Sequence, residues 1–230
     1  MAHADSIQAD RPGFSTGTYT VAPGYSHIEV GLQYDKGNNI GERGSYTAPL
    51  LNYRMGLTDE TELNLLWDGW NKSNGDSSLT NGDLMLGLKQ RIVTNEDYNI
   101  SWLGFVTLPT GTRSNAQHFS PFIGLLWDRT ITDNISLFGT LQLVSYVESR
   151  DRKNQFQPAI GLSYQHTDKL GSYVEIYSDI AMNTSVAPAS VFDAGLTYLL
   201  TDSIQVDFNF GLATDRRSSD FAGFGFAIRF

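Results

Sequence analysis

Along almost the whole chain, large apolar residues alternate with small, polar or charged ones, and turn-forming residues interrupt the pattern at intervals. The closing segment Phe224-Gly225-Phe226-Ala227-Ile228-Arg229-Phe230 shows it plainly, with a large apolar residue at every second position. A period of two marks a strand with one apolar face. Its recurrence is the constraint. No stretch reaches the ~18 consecutive apolar residues that a spanning helix needs. A closed barrel with lipid outside and water inside fits such strands, because every backbone group is paired around the ring. A soluble β-sandwich shares the alternation and is the competing architecture.

The rhythm of the connectors separates the two. Tight turns at Thr58-Asp59-Glu60, Thr94–Asp97, Thr132-Asp133, Thr167–Gly171 and Thr201-Asp202 alternate with longer polar stretches. The longer stretches are Lys36–Gly44, Asn71–Asn81, Pro109–His118, Ser149–Asn154, Asn183–Ala189 and Ala213–Ser219. Asp and Thr suit the tight turns because their side chains bond nearby backbone amides. The pattern predicts an all-β, antiparallel, up-and-down transmembrane barrel of about twelve strands. Its short turns face the periplasm and its longer loops the outside, and an even count returns both termini to the periplasmic side. Residues 25–230 form this barrel. Residues 1–24 carry Pro12 and Pro23, show no sustained alternation, and form a periplasmic tail or a plug entering the lumen.

Composition narrows the function. The chain has no cysteine, which excludes thiolate catalysis, disulfides and Cys-ligated zinc. A net charge of -9 argues against nucleic acid as a partner. Mean hydropathy is only -0.25, as expected when one residue in two meets lipid. The start lacks a secretory leader, yet Ala2-His3-Ala4 fits the small-x-small pattern ahead of a signal-peptidase cut; a leader trimmed from this end is the expectation.

If the apolar faces meet lipid, the opposite faces point Glu29, Arg54, Glu62, Asp68, Asp83, Lys89, Arg91, Asp128, Glu175, Asp179, Asp193, Asp207 and Arg229 into the lumen. Acids outnumber bases about two to one. Charges cannot sit unpaired in a dry interior, so the lumen is either a hydrated path that disfavours anions or a salt-bridged plug. The apolar lumen positions Leu66, Leu103, Phe105, Phe122, Leu126 and Phe138 form either a greasy slide or packing across a narrow bore. Trp67, Trp102, Trp127, Tyr98, Tyr164 and Tyr198 fall on lipid-facing registers, where interfacial anchoring accounts for them. Arg113, Arg150, Arg152, Lys153, Arg216 and Arg217 fall in the outer loops. The histidines show no metal-ligand spacing and no cofactor is implied. His118 beside Ser120 and His166 near Ser163 are the candidates for a lipid-hydrolase pair, and neither has a motif around it.

Two regions carry a resemblance. The start Asp10-Arg11-Pro12-Gly13-Phe14-Ser15, continuing Thr18-Tyr19-Thr20-Val21-Ala22-Pro23-Gly24, resembles a bacterial outer-membrane family described as transporter-like and linked to meta-pathway phenol degradation. Tyr53–Leu65, with its Gly-Leu-Thr-Asp turn, and Leu108–Gly111 resemble further parts of that family, which also ends on an aromatic residue. The resemblance implies a barrel, an outer-membrane location and uptake of small solutes, aromatic ones among them.

The reading is therefore a non-enzymatic outer-membrane channel for passive uptake through an acid-rich lumen. A closed structural barrel and a lipid-modifying hydrolase are the alternatives. The expected partners are outer-membrane lipid and lipopolysaccharide, the small-molecule solute, and the assembly machinery that reads Phe230. The expected state is a monomer.

Overall fold

The computed structural model describes residues 6–37, 44–75, 77–112, 118–148, 150–215 and 217–230. Among them are fourteen strands: β1 (Ser26–Asp35), β2 (Ser45–Thr58), β3 (Thr61–Trp67), β4 (Trp70–Ser73), β5 (Thr80–Asn81), β6 (Leu84–Thr94) and β7 (Tyr98–Leu108) in the first half. The second half holds β8 (Ser120–Thr132), β9 (Ile135–Glu148), β10 (Asp151–Gln165), β11 (Leu170–Ala181), β12 (Ala189–Thr201), β13 (Ile204–Ala213) and β14 (Phe221–Arg229). All pairings between them are antiparallel. β1 pairs with β14 from His27↔Arg229 to Asp35↔Phe221, which closes the ring.

Fourteen strands make twelve staves. β3 and β4 lie against the same strand at successive heights, β3 on Leu51–Thr58 and β4 on Ser45–Ala48 of β2. They form one stave broken at Asp68–Gly69. Gly69 has φ +60°, and a Cβ there would lie 2.2 Å from the Pro49 carbonyl oxygen, so the break needs glycine. β5 continues into β6 across Gly82–Asp83 in the same way. With Pro49 on β2, this gives a crease across three neighbouring staves.

The strands match the expected ones closely, with two differences at the outer rim. The segment expected as a loop at Asn71–Asn81 contains the end of β4 and all of β5. The charged tip expected at Ser149–Asn154 is mostly strand, because β10 begins at Asp151, paired with Glu148. Both pieces stand beyond the lipid, where both faces of a strand are wet. No apolar alternation marks them there, although the hydrogen-bonded ladder continues.

The surface is inverted relative to a soluble protein. Ile123 is 55% exposed and Phe224 49%, while Glu29, Arg54, Glu62 and Lys89 are fully buried. Apolar side chains that cover the outside of a closed ring, with charges inside, define a membrane-spanning barrel. Tyr98, Tyr164 and Tyr198 stand exposed beside the short turns, at the height where aromatic girdles anchor barrels. Closed barrels of this kind span the bacterial outer membrane. Val206 sits on the lipid face of β13, between Tyr198 and Phe226. At this girdle height Val206→Arg is expected to cost about 0–1 kcal/mol, and Phe208→Arg, opposite Leu196 nearer the middle of β13, about 2–4 kcal/mol, each read as a lowered urea midpoint for unfolding from lipid vesicles.

Candidate functional site

The lumen is divided by the segment ahead of β1. The Ile7 amide donates to the Asp202 carbonyl (2.7 Å) in the β12–β13 turn, and Thr20 Oγ1 donates to the Asp59 carbonyl (2.8 Å) in the β2–β3 turn. Pro23 then bridges to Gly56. Both feet thus rest at the periplasmic end. Between them the chain rises into the barrel, where the Phe14 ring stacks on Tyr177 at 4.2 Å between centroids. Pro12, Gly13, Gly17, Pro23 and Gly24 keep this strap out of regular structure. Its backbone polar groups therefore need partners from the wall.

One wall supplies them through charge. Arg54 Nη1 lies 3.0 Å from Glu29, Nη2 2.9 Å from Glu62, and Nε 3.2 Å from Asp10 of the strap. Arg54 also donates to the carbonyls of Gln8 (2.9 Å) and Tyr19 (3.1 Å). Lys89 Nζ sits 2.7 Å from Asp10 and 3.3 Å from Glu62, and reaches the Tyr19 carbonyl at 3.1 Å. The carboxylates work in the other direction. Glu29 accepts the Asp10 and Arg11 amides (3.0 and 3.1 Å), and Glu62 accepts the Val21 amide (2.7 Å). Three acids and two bases leave a net charge of -1, spread over a dense hydrogen-bond network.

The opposite wall, β8 to β12, is built differently. Asp128 accepts hydrogen bonds from Thr18 Oγ1 and Asn99 Nδ2, and Glu175 accepts from the Phe14 and Ser15 amides at 2.9 Å. Asp193 accepts from the Tyr173 hydroxyl (2.6 Å), and its second oxygen is buried with no hydrogen-bond partner among the described residues. Asp179 accepts from Gln157. Every one of these donors is neutral. Glu175 and Asp193 face each other across the β11–β12 ladder. Between this wall and the strap lies a cavity of about 440 Å³, lined by strap residues with Asp128, Ser136, Phe138, Ser163, Tyr173 and Thr197.

A third patch is apolar. Leu103, Phe105 and Leu126 are buried together, with Leu66, Met85 and Phe122 packed around them. The Phe105 and Phe122 rings stack at 4.9 Å. Gly87 makes room for Phe105, since a Cβ there would lie 2.3 Å from its ring. These lumen residues pack on one another along β3–β8. Phe138 stands apart from them, edge-on to Tyr173 at 6.3 Å.

Of the charged residues expected inside, Glu29, Arg54, Glu62 and Lys89 meet in one cluster and Asp207 holds strap residue Arg11. Arg91 lies over the Tyr19 ring and Arg229 over the Tyr25 ring. Asp128, Glu175, Asp179 and Asp193 occupy the other wall. Asp68 and Asp83 fall in the breaks between strands, off the regular lumen face, and Asp83 accepts the Thr110 and Gly111 amides (3.0 and 2.7 Å). His166 bonds Ser172 (2.7 Å) rather than Ser163. Arg113 and Arg216 lie outside the described residues. In the β13–β14 loop, Arg217 donates to both Asp215 oxygens and holds that carboxyl below its usual range.

Sequence reasoning missed Asp10 and Arg11 as lumen charges. The available signal was an isolated acid–base pair inside a Pro/Gly segment with no strand to solvate it. Removing Arg54 leaves Asp10, Glu29 and Glu62 buried against a single lysine. Arg54→Met is expected to cost about 3–5 kcal/mol and to open the strap to thermolysin at Phe14 or Val21, seen as a new amino-terminal cleavage on a gel.

Several solved structures share this fold. An outer membrane channel from Pseudomonas putida F1 matches with a TM-score of 0.71 at 14% identity, over 96% of this chain and 99% of that one. The KdgM porin matches with a TM-score of 0.62 at 10% identity, over 88% and 98%. The CymD monoaromatic hydrocarbon channel matches with a TM-score of 0.52 at 10% identity, over 91% and 89%. Identities this low speak for the fold alone. No curated protein matches the chain by sequence. A family profile does match, over residues 9–230, strap included. The chain belongs to the family whose description assigns it to the MetA pathway of phenol degradation.

Proposed function

We propose that this protein is a passive outer-membrane channel for small neutral or cationic solutes, with the passage running between the strap and the β8–β12 wall. The observation that carries the reading is the segregation of charge in the lumen. Arg54 and Lys89 are buried in ion pairs on one side, while on the other side Asp128 and Asp179 are half-buried and, among the described residues, accept from neutral donors. A path past that second wall meets uncompensated negative charge, which repels anions and favours cations. The hydroxyls and aromatic rings around the cavity suit small ring-bearing solutes. The family's link to phenol degradation and the likeness to CymD, a monoaromatic hydrocarbon channel, point the same way.

In this reading the protein performs no catalysis and works as a monomer in outer-membrane lipid and lipopolysaccharide. The terminal Phe230, exposed and paired through its backbone with Ser26, is the residue offered to the assembly machinery. A closed structural barrel is the second reading, favoured by the many bonds that hold the strap in place.

The test is conductance of purified protein in planar bilayers across a KCl gradient. Discrete openings with a reversal potential on the cation side are expected. Asp128→Asn and Asp179→Asn are each expected to move that potential towards zero while leaving the folded barrel intact on a gel. Silence in bilayers, together with failure to swell solute-loaded liposomes, would overturn the channel and leave the structural barrel.

A further inference from the structure

Arg11 occupies a seat at the seam that closes the barrel. Gly31 of β1 and Gly225 of β14 are directly opposite each other on the lumen face of that seam. A Cβ at Gly31 would lie 2.2 Å from Arg11 Nη1, and one at Gly225 would lie 2.3 Å from Arg11 Nε. Two opposed glycines thus form a slot that the guanidinium fills, which is the use of glycine where another group must approach the backbone closely. Asp207, paired with Gly225 across β13–β14, takes the charge through Arg11 Nη2 at 3.1 Å. The backbone on either side is held too. The Arg11 amide donates to Glu29 (3.1 Å), and Asn209 Nδ2 donates to the Pro12 carbonyl (2.9 Å). Three neighbouring staves grip one strap residue.

We propose that Arg11, seated in the Gly31–Gly225 slot, is the residue that determines the channel's selectivity, because its seat fixes how far the strap fills the lumen and keeps Asp10 on Arg54 and Lys89. The inference rests on the channel reading above and adds the element that sets its bore and charge. With the strap docked, the two cations of the β2–β6 wall and the Glu175 carboxylate are covered, and the passage sees Asp128 and Asp179. With Arg11 unseated, Asp10 leaves its cluster, which changes from three acids and two bases to two of each. Arg54 and Lys89 then face the widened lumen. Glu29 and Glu62 still balance them, while Asp207 loses its counter-charge and Glu175 its covering amides, so bore and cation preference should rise together.

The test compares wild type with Arg11→Ala, Arg11→Lys, Gly225→Ala and the double variant Arg11→Ala/Gly225→Ala, all refolded as full chains. A heat-dependent gel shift reports the closed barrel. Arg11→Ala is expected to raise single-channel conductance about two-fold, since a strap filling one side of the bore roughly halves the open section, and to raise cation preference, since Asp207 loses its counter-charge. Arg11→Lys keeps the charge without the planar fork and should fall between. Gly225→Ala should reproduce Arg11→Ala in the wild-type background and add nothing in the Arg11→Ala background, because the slot then has no occupant.

Unchanged conductance and selectivity in a folded Arg11→Ala channel would overturn the proposal. So would a Gly225→Ala effect of equal size with and without Arg11, which would assign the glycine to barrel closure. Strap release is read separately, as thermolysin cleavage between residues 7 and 24. Bilayer silence in every variant, with cleavage rising on Arg11→Ala, would retain the seat as an anchor and overturn both the channel reading and the selectivity role.

Discussion

Arg54 is the interaction on which the rest of the lumen depends. A guanidinium with no solvent access must give each N–H an acceptor. Here the acceptors come from two neighbouring strands and from the strap: Glu29, Glu62, and the carbonyls of Gln8 and Tyr19. The same carboxylates receive strap amides. Wall and strap therefore satisfy one another, and neither side is complete alone. A lysine at position 54 would lack the planar fork that reaches three elements at once.

That mutual satisfaction divides the barrel. Ion pairs concentrate on β1–β6 and β13, where the strap lies, and the remaining acids line β8–β12 with hydroxyl and amide donors. An inserted segment rich in glycine and proline is suited to this division, since it brings many unpaired backbone groups and little bulk. Charge that looks like an even lining when read along the strands becomes one neutralised wall and one acidic wall. The bore is set by what the strap leaves open, rather than by strand number alone.

Much of the fold was legible in the chain. The alternation Ile28, Val30, Leu32 against His27, Glu29, Gly31 placed β1 and its two faces, and the Thr-Asp turns placed the periplasmic end. The outer rim was less legible. β4, β5 and the first residues of β10 are strands by hydrogen bonding but carry no apolar stripe, because water lies on both sides of them. The site was half legible. Glu29, Arg54, Glu62 and Lys89 could be assigned to the lumen by parity, since a one-residue slip would put them in lipid. Asp10 and Arg11 could not, because parity says nothing about a segment without period.

The sequence by itself determined the barrel, its approximate strand number and the two faces of its regular strands. Those follow from local periodicity and from the cost of unpaired groups in lipid. Only the tertiary structure decided which inward charges pair, that Gly31 and Gly225 leave a slot for Arg11, and that the strap between Ile7 and Val21 runs inside the ring. Pairing across a lumen joins residues up to 197 positions apart, as Asn209 and Pro12 are. No local pattern encodes such contacts until the ring is closed.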